Sequence, residues 1–81
     1  MGNALIVGAG SWGTALSLVL ADNGYNVKLW DVDRENLDSI RIHHENFKYL
    51  PGVFLPQSVS VAEDVNECYR SSDLVVFAVP A

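Results

Sequence analysis

Cys68 is the only cysteine in the chain, so no disulfide can form within it. Its helical spacing from Val65 predicts a small buried apolar residue rather than a reactive thiol. Bases are scarce: Lys plus Arg number 5 against 10 Asp plus Glu, a net charge of −5. That balance excludes nucleic acid or an anionic membrane as a partner held by a basic field. An anion must instead be held by backbone N–H groups and local geometry. Long apolar runs are also missing, and none approaches the roughly 20 residues that span a bilayer. The apolar run near the N-terminus has no basic segment before it, so a secretory leader is not expected and a cytoplasmic location is. No Cys/His cluster stands at metal-ligand spacing, and no carboxylate pair or Ser/His/Asp set suggests hydrolysis. No metal site and no hydrolytic constellation are therefore expected. There is no repeat, low-complexity stretch or linker.

What remains is a globular composition, 49% apolar, in 81 residues. A chain of this size buries only about 60–65% of the surface its unfolded state exposes, so its core is thin. Residues 3–8 read as an apolar strand, and Gly8-Ala9-Gly10-Ser11-Trp12-Gly13 follows directly. This is G-x-G-x-x-G between a strand and a helix. A helix start with unhindered backbone N–H groups binds pyrophosphate. In that reading Gly8 makes the tight turn, Gly10 lets phosphate approach the backbone, and Gly13 lets the helix sit close to the strand. The N–H groups near Ser11 and Trp12 face phosphate, and the Ser11 hydroxyl can add a bond. Trp12 serves either packing or the cofactor path.

The first helix is predicted over Ser11 to Asn23, apolar on nearly all sides and so well buried, with Gly24 ending it. A second strand covers Val27 to Trp30, with Trp30 expected in the core. Asp31 stands 23 residues after Gly8, where a carboxylate accepts bonds from ribose hydroxyls and repels a 2′-phosphate. Asp33 caps a second helix whose inner face carries Leu37, Ile40 and His44. Arg34 is the one base near enough to meet a 2′-phosphate, so NAD is the expected cofactor and NADP the less expected one. His43 and His44 read as solvated imidazoles at a helix end, and Lys48 as a solvated charge.

Asn46 to Pro56 reads as a loop with a turn at Pro51-Gly52. Ser58 to Val61 is a short third strand. Glu63 to Ser71 is a third helix, with Val65, Cys68 and Tyr69 inward and acidic Glu63 and Asp64 in its first turn. Leu74 to Val79 is a fourth, buried strand. The order β-α-β-α-β-α-β implies α/β class: a Rossmann-type parallel sheet, strand order 3-2-1-4, the first half of a doubly wound fold. A chain that stops on a buried strand reads as the N-terminal piece of a longer protein.

The sequence resembles the start of NAD(P)-dependent glycerol-3-phosphate dehydrogenase. The likeness rests on Gly8 to Leu16, on Asn23-Gly24, and on Val27-Lys28-Leu29-Trp30. It rests most on His44-Glu45-Asn46-Phe47-Lys48-Tyr49-Leu50-Pro51-Gly52 with Leu55-Pro56, and it extends to Asp73 through Pro80. The resemblance implies an oxidoreductase that interconverts sn-glycerol 3-phosphate and dihydroxyacetone phosphate by hydride transfer with nicotinamide, serving phospholipid synthesis or shuttling reducing equivalents. It implies that Ser11, Trp12 and Tyr49 contact the cofactor, and that Pro80 lies near it at the end of the fourth strand. It further implies that residues 1–81 are the N-terminal part of the dinucleotide-binding domain. The catalytic lysines, the substrate-phosphate ligands and the helical C-terminal domain that completes the site and the homodimer lie outside this chain. Bacterial members often carry bases just after the position of Trp30, whereas this chain has Asp31-Val32-Asp33-Arg34, which again favours NAD. Two other readings are a 3-hydroxyacyl-CoA or β-hydroxyacid dehydrogenase fragment and a free-standing nucleotide-binding module without catalysis. The Tyr49-to-Gly52 loop argues against the first of these.

Overall fold

The computed structural model describes residues 2–79. Its elements run β1 (Asn3–Val7), α1 (Ser11–Asp22), β2 (Asn26–Trp30), α2 (Arg34–His43), β3 (Val59–Val61), α3 (Val65–Ser71) and β4 (Leu74–Phe77). The strands form one parallel sheet in the order β3-β2-β1-β4, as the alternation predicts. Strand β1 lies between two neighbours and is covered on both faces, which is why Ala4, Leu5 and Ile6 are all fully buried. Ala4 and Ile6 cluster with Val27 and Leu29 of β2, Leu37 and Ile40 of α2, Val59 of β3 and Leu55 from the loop before β3. Each Leu or Ile buried here contributes roughly 1.5–3 kcal/mol.

Helix α1 differs from its expectation. Its fully buried residues are Gly13, Thr14 and Ser17, while Leu16, Leu18, Leu20 and Ala21 are only half-buried and Val19 is exposed. A helix apolar all round carries no period to choose a face. Size chooses here: small residues allow close approach to the sheet, and the larger ones flank the contact. The helix ends at Asn23 and Gly24 in a Schellman arrangement. Tyr25 N–H donates to Leu20 O and Gly24 N–H to Ala21 O, both at 3.0 Å.

Helix α2 starts as predicted. Asp33 accepts from the Asn36 N–H and so caps it. Its other end departs from expectation, because His44 is half-buried in a left-handed conformation at φ 54°. The His44 ring packs 5.9 Å from that of Phe54 instead of standing free in solvent.

Helix α3 is shorter than expected. Asp64 is its cap, accepting from Asn66 and Glu67 N–H, and Glu63 lies before it. Glu63 instead accepts from Arg41 of α2, which also pairs with Asp38. No residue of α3 is fully buried; Val65 and Cys68 are half-buried and Tyr69 is exposed. One side of a seven-residue helix offers too little surface to enclose a tyrosine against a single sheet.

Strand β4 is also less buried than predicted. Leu74, Val75 and Val76 are half-buried and Phe77 is exposed. Among the described residues β4 has β1 as its one strand neighbour, so one edge and much of one face remain open.

Candidate functional site

The site is built at the carboxyl ends of β1, β2 and β4. Gly8 turns the chain out of β1 at φ 117°, with its N–H donating to Trp30 O of β2 at 2.7 Å. Just across, Ala78 N–H donates to Val7 O at 2.8 Å. A side chain at Gly8 would lie 2.7 Å from the Ala78 carbonyl carbon, so the turn and the end of β4 touch through backbone.

Ala9 is the pivot of the turn, and it is fully buried. Its N–H donates to Asp31 Oδ2 at 2.7 Å. Its carbonyl accepts from Asn36 Nδ2 at 3.0 Å and from Asn46 Nδ2 at 2.8 Å. Asn46 is fully buried, and its Nδ2 also donates to Thr14 Oγ1 at 2.8 Å. Asn46 Oδ1 accepts from the Tyr49 N–H at 3.1 Å. One amide side chain thus fixes the glycine turn, the first turn of α1 and the loop that presents Tyr49.

Sequence reasoning missed Asn36 and Asn46. Their partners lie 27 and 37 positions away, and the only local signal was a polar residue inside an otherwise patterned stretch. Removing Asn46 leaves the buried Thr14 hydroxyl and the part-buried Tyr49 N–H short of partners, at a cost of about 2 kcal/mol. Asn46→Ala is therefore expected to lower the unfolding free energy measured in urea by that amount. A loss below half of it would show that the clamp matters little.

Beyond Ala9, helix α1 begins without a side-chain cap and with no acidic residue in its first turn. Its first internal bond runs from Thr14 N–H to Gly10 O at 3.0 Å, so the earlier N–H groups have no intrahelical acceptor. A Cβ on Gly10 would meet nothing within 4 Å. The uncapped helix start therefore faces open space rather than packed protein.

That space is a crevice of two adjoining parts. One, about 300 Å³, is lined by Gly8, Gly10, Trp30, Asp31, Val32 and Tyr49 among others. The other, about 420 Å³, is lined by Gly10, Ser11, Trp12, Tyr49, Phe77 and Val79 among others. Gly8, Gly10, Ser11, Trp12, Asp31 and Tyr49 thus come together around one opening. Gly13 stands behind it, packed against Gly8. Pro80 lies outside the described residues. Trp30, expected in the core, is half-buried and turns one side to the crevice. Trp12 is 63% exposed and Tyr49 40%, so two aromatic faces flank the helix start.

Asp31 does more than its position suggested. Besides the Ala9 bond, its Oδ1 accepts from the Asp33 N–H at 3.0 Å. A carboxylate offers about four acceptor sites, so it retains capacity for ribose hydroxyls. Lys48 is not simply solvated: its Nζ lies 2.8 Å from Asp33 Oδ2. The Lys48 ammonium and the Asn36 N–H hold the Asp33 carboxyl below its ordinary value, and Asp33 in turn raises Lys48. Among the described residues no group of three or more His, Cys, Asp or Glu is placed to hold a metal. No helix of the described residues is long and apolar enough to cross a membrane.

A parallel sheet in this order, with a glycine turn feeding an uncapped helix beside a carboxylate, defines a Rossmann-type domain. The family model for the NAD-dependent glycerol-3-phosphate dehydrogenase N-terminus matches residues 3–81. The chain belongs to that family, whose members are NAD(P)-dependent oxidoreductases. It is 49% identical over 80 residues to the glycerol-3-phosphate dehydrogenase [NAD(P)+] of Bacillus velezensis, covering 99% of this chain and 23% of that protein. Against the enzyme of the same name from Agathobacter rectalis it is 46% identical over 76 residues, or 94% and 23% of the two chains. Among solved structures, the glycerol-3-phosphate dehydrogenase of Coxiella burnetii superposes with a TM-score of 0.86 at 33% identity, over 94% of this chain and 23% of that one. The enzyme from Saccharomyces cerevisiae gives 0.78 at 31% identity, over 96% and 26%. The chain spans about a quarter of the length of these relatives. The 3-hydroxyacyl-CoA and stand-alone-module readings are not favoured by any of these matches.

Proposed function

We propose that the crevice binds the adenosine and pyrophosphate half of a nicotinamide dinucleotide, NAD(H) in preference to NADP(H). The observation that carries this is the uncapped start of α1 over the open side of Gly10, with Asp31 beside it. Backbone N–H groups of Gly10, Ser11 and Trp12 hold the pyrophosphate with help from the helix dipole. Gly8 and Gly13 make the approach possible, and Asp31 receives the ribose hydroxyls. Tyr49 and Trp12 wall the path.

In this reading residues 1–81 form the cofactor part of a glycerol-3-phosphate dehydrogenase, and a helical substrate domain belongs to the rest of the enzyme. That enzyme interconverts sn-glycerol 3-phosphate and dihydroxyacetone phosphate, as a cytoplasmic homodimer serving phospholipid synthesis. The bound nicotinamide supplies the hydride acceptor or donor. This chain contributes binding and orientation but no catalytic group. Lys28 is occupied with Ser60 Oγ at 2.8 Å and Lys48 with Asp33. The 81 residues alone are therefore expected to bind cofactor weakly and turn over nothing.

The test is a fluorescence titration of the chain with NADH and with NADPH. NADH is expected to bind more tightly, and Asp31→Ala to erode that binding severalfold. Because Asp31 also holds the Ala9 N–H, a urea melt of the variant must accompany the titration. Absence of any binding, or tighter NADPH, would count against the reading or against its NAD preference respectively.

A further inference from the structure

Beside the crevice lies a second recess of about 380 Å³, lined by Asp33, Glu35, Asn36, Ser39, Phe47 and Lys48. Its lining residue Asp33 stands two residues beyond Asp31, the carboxylate read above as the ribose ligand. The carboxylate of Asp31 holds the Asp33 N–H at 3.0 Å, and the carboxylate of Asp33 holds Lys48 Nζ at 2.8 Å. Lys48 is brought there by Asn46, whose clamp on Ala9 fixes the loop, and its ammonium lies 5.3 Å from the centre of the Tyr49 ring. Arg34 is therefore not the only base at this end of the site.

We propose that the Asp33–Lys48 ion pair sets the choice between NAD(H) and NADP(H), by keeping the Lys48 ammonium neutralised. This rests on the reading of the crevice as a dinucleotide site. The charges around the 2′ edge are Asp31, Asp33 and Glu35 against Arg34 and Lys48. A 2′-phosphate brings close to two further negative charges to a corner that already holds an acidic excess. To bind it, Lys48 must leave Asp33, and the freed Asp33 carboxylate then repels the phosphate. NAD(H) asks for neither change. The pair is partly solvated, with Lys48 at 60% and Asp33 at 26% side-chain exposure, so the lysine is free to swing once its partner is neutral.

Asp33→Asn isolates this effect. Asparagine caps a helix about as well as aspartate, so α2 keeps its start. Removing one negative charge close to a doubly charged phosphate, in a water-like environment, is worth about tenfold in affinity. The experiment measures the NADH-to-NADPH affinity ratio for the chain, for Asp33→Asn, and for Asp33→Asn combined with Lys48→Gln. The chain itself is expected to favour NADH. Asp33→Asn is expected to cut the ratio about tenfold by tightening NADPH, and added salt to shrink the gain. Lys48→Gln on that background is expected to restore the original ratio. A ratio that moves less than twofold while both cofactors bind would overturn the proposal. So would a gain that survives Lys48→Gln, since Arg34 would then be its source. Binding of neither cofactor by any variant would overturn the dinucleotide reading itself, and this proposal with it.

Discussion

Gly13→Ala is expected to cost about 4 kcal/mol or more, enough to leave much of the chain unfolded at 25 °C. A domain of this size has roughly 4–12 kcal/mol of stability in all. The added methyl would fall well inside contact distance of the Gly8 carbonyl oxygen, 3.1 Å from its carbon and 3.2 Å from Ala78 Cβ. Two of those neighbours are backbone atoms, and neither can rotate away. The turn cannot retreat either, because Ala9 is held by Asp31, Asn36 and Asn46. Helix α1 must therefore lift off the sheet, exposing Thr14 and Ser17, or the turn must break. Gly52→Ala is the control: its φ of 82° carries strain but its Cβ meets nothing within 4 Å, so it should cost only about 1 kcal/mol. Urea melts followed by circular dichroism measure both. Gly13 carries no positive φ, so a loss no larger than that of Gly52→Ala would show that the close helix–strand contact gives way at little cost.

The contact between Gly13 and Gly8 was legible in the sequence because it follows from spacing. So did the sheet order, which needs only alternation of element types, and the Asp33 cap, which bonds three residues ahead. Three features of the site were not legible. The Asp31–Ala9 bond, the Asn46–Ala9 bond and the Lys48–Asp33 pair join positions 22, 37 and 15 apart. No periodicity encodes such meetings; they exist only once β1, β2 and the loop after α2 are in place. The run His44 to Gly52 showed family likeness, yet nothing local says that its asparagine points inward and its lysine outward. The inward face of α1 was misjudged for a different reason. Uniform apolarity predicts burial without direction, and direction came from the small residues Gly13, Thr14 and Ser17. Tyr69 and β4 failed because burial of an element depends on what covers it, which its own residues do not state.

Gly10→Val is expected to separate binding from folding. Gly10 has φ −77° and ψ −168°, a conformation that valine adopts without strain. Its Cβ would point into space free of protein atoms within 4 Å. Valine is a poorer helix N-cap than glycine, but it also restricts the unfolded chain, and the two effects together should stay within about 1 kcal/mol. The same side chain would stand where the pyrophosphate must lie against the N–H groups of α1. Cofactor affinity is therefore expected to fall a hundredfold or more, as expected when bonds between phosphate and a helix start cannot form. A thermal melt and an NADH titration of the one variant decide the matter. Lost binding with an unchanged melt would tie the open side of Gly10 to the phosphate. Retained binding would move the pyrophosphate elsewhere. A melt lowered as far as that of Gly13→Ala would mean that the turn tolerates no side chain at all. Gly10 would then be a folding requirement, and the space above it would say nothing about a ligand.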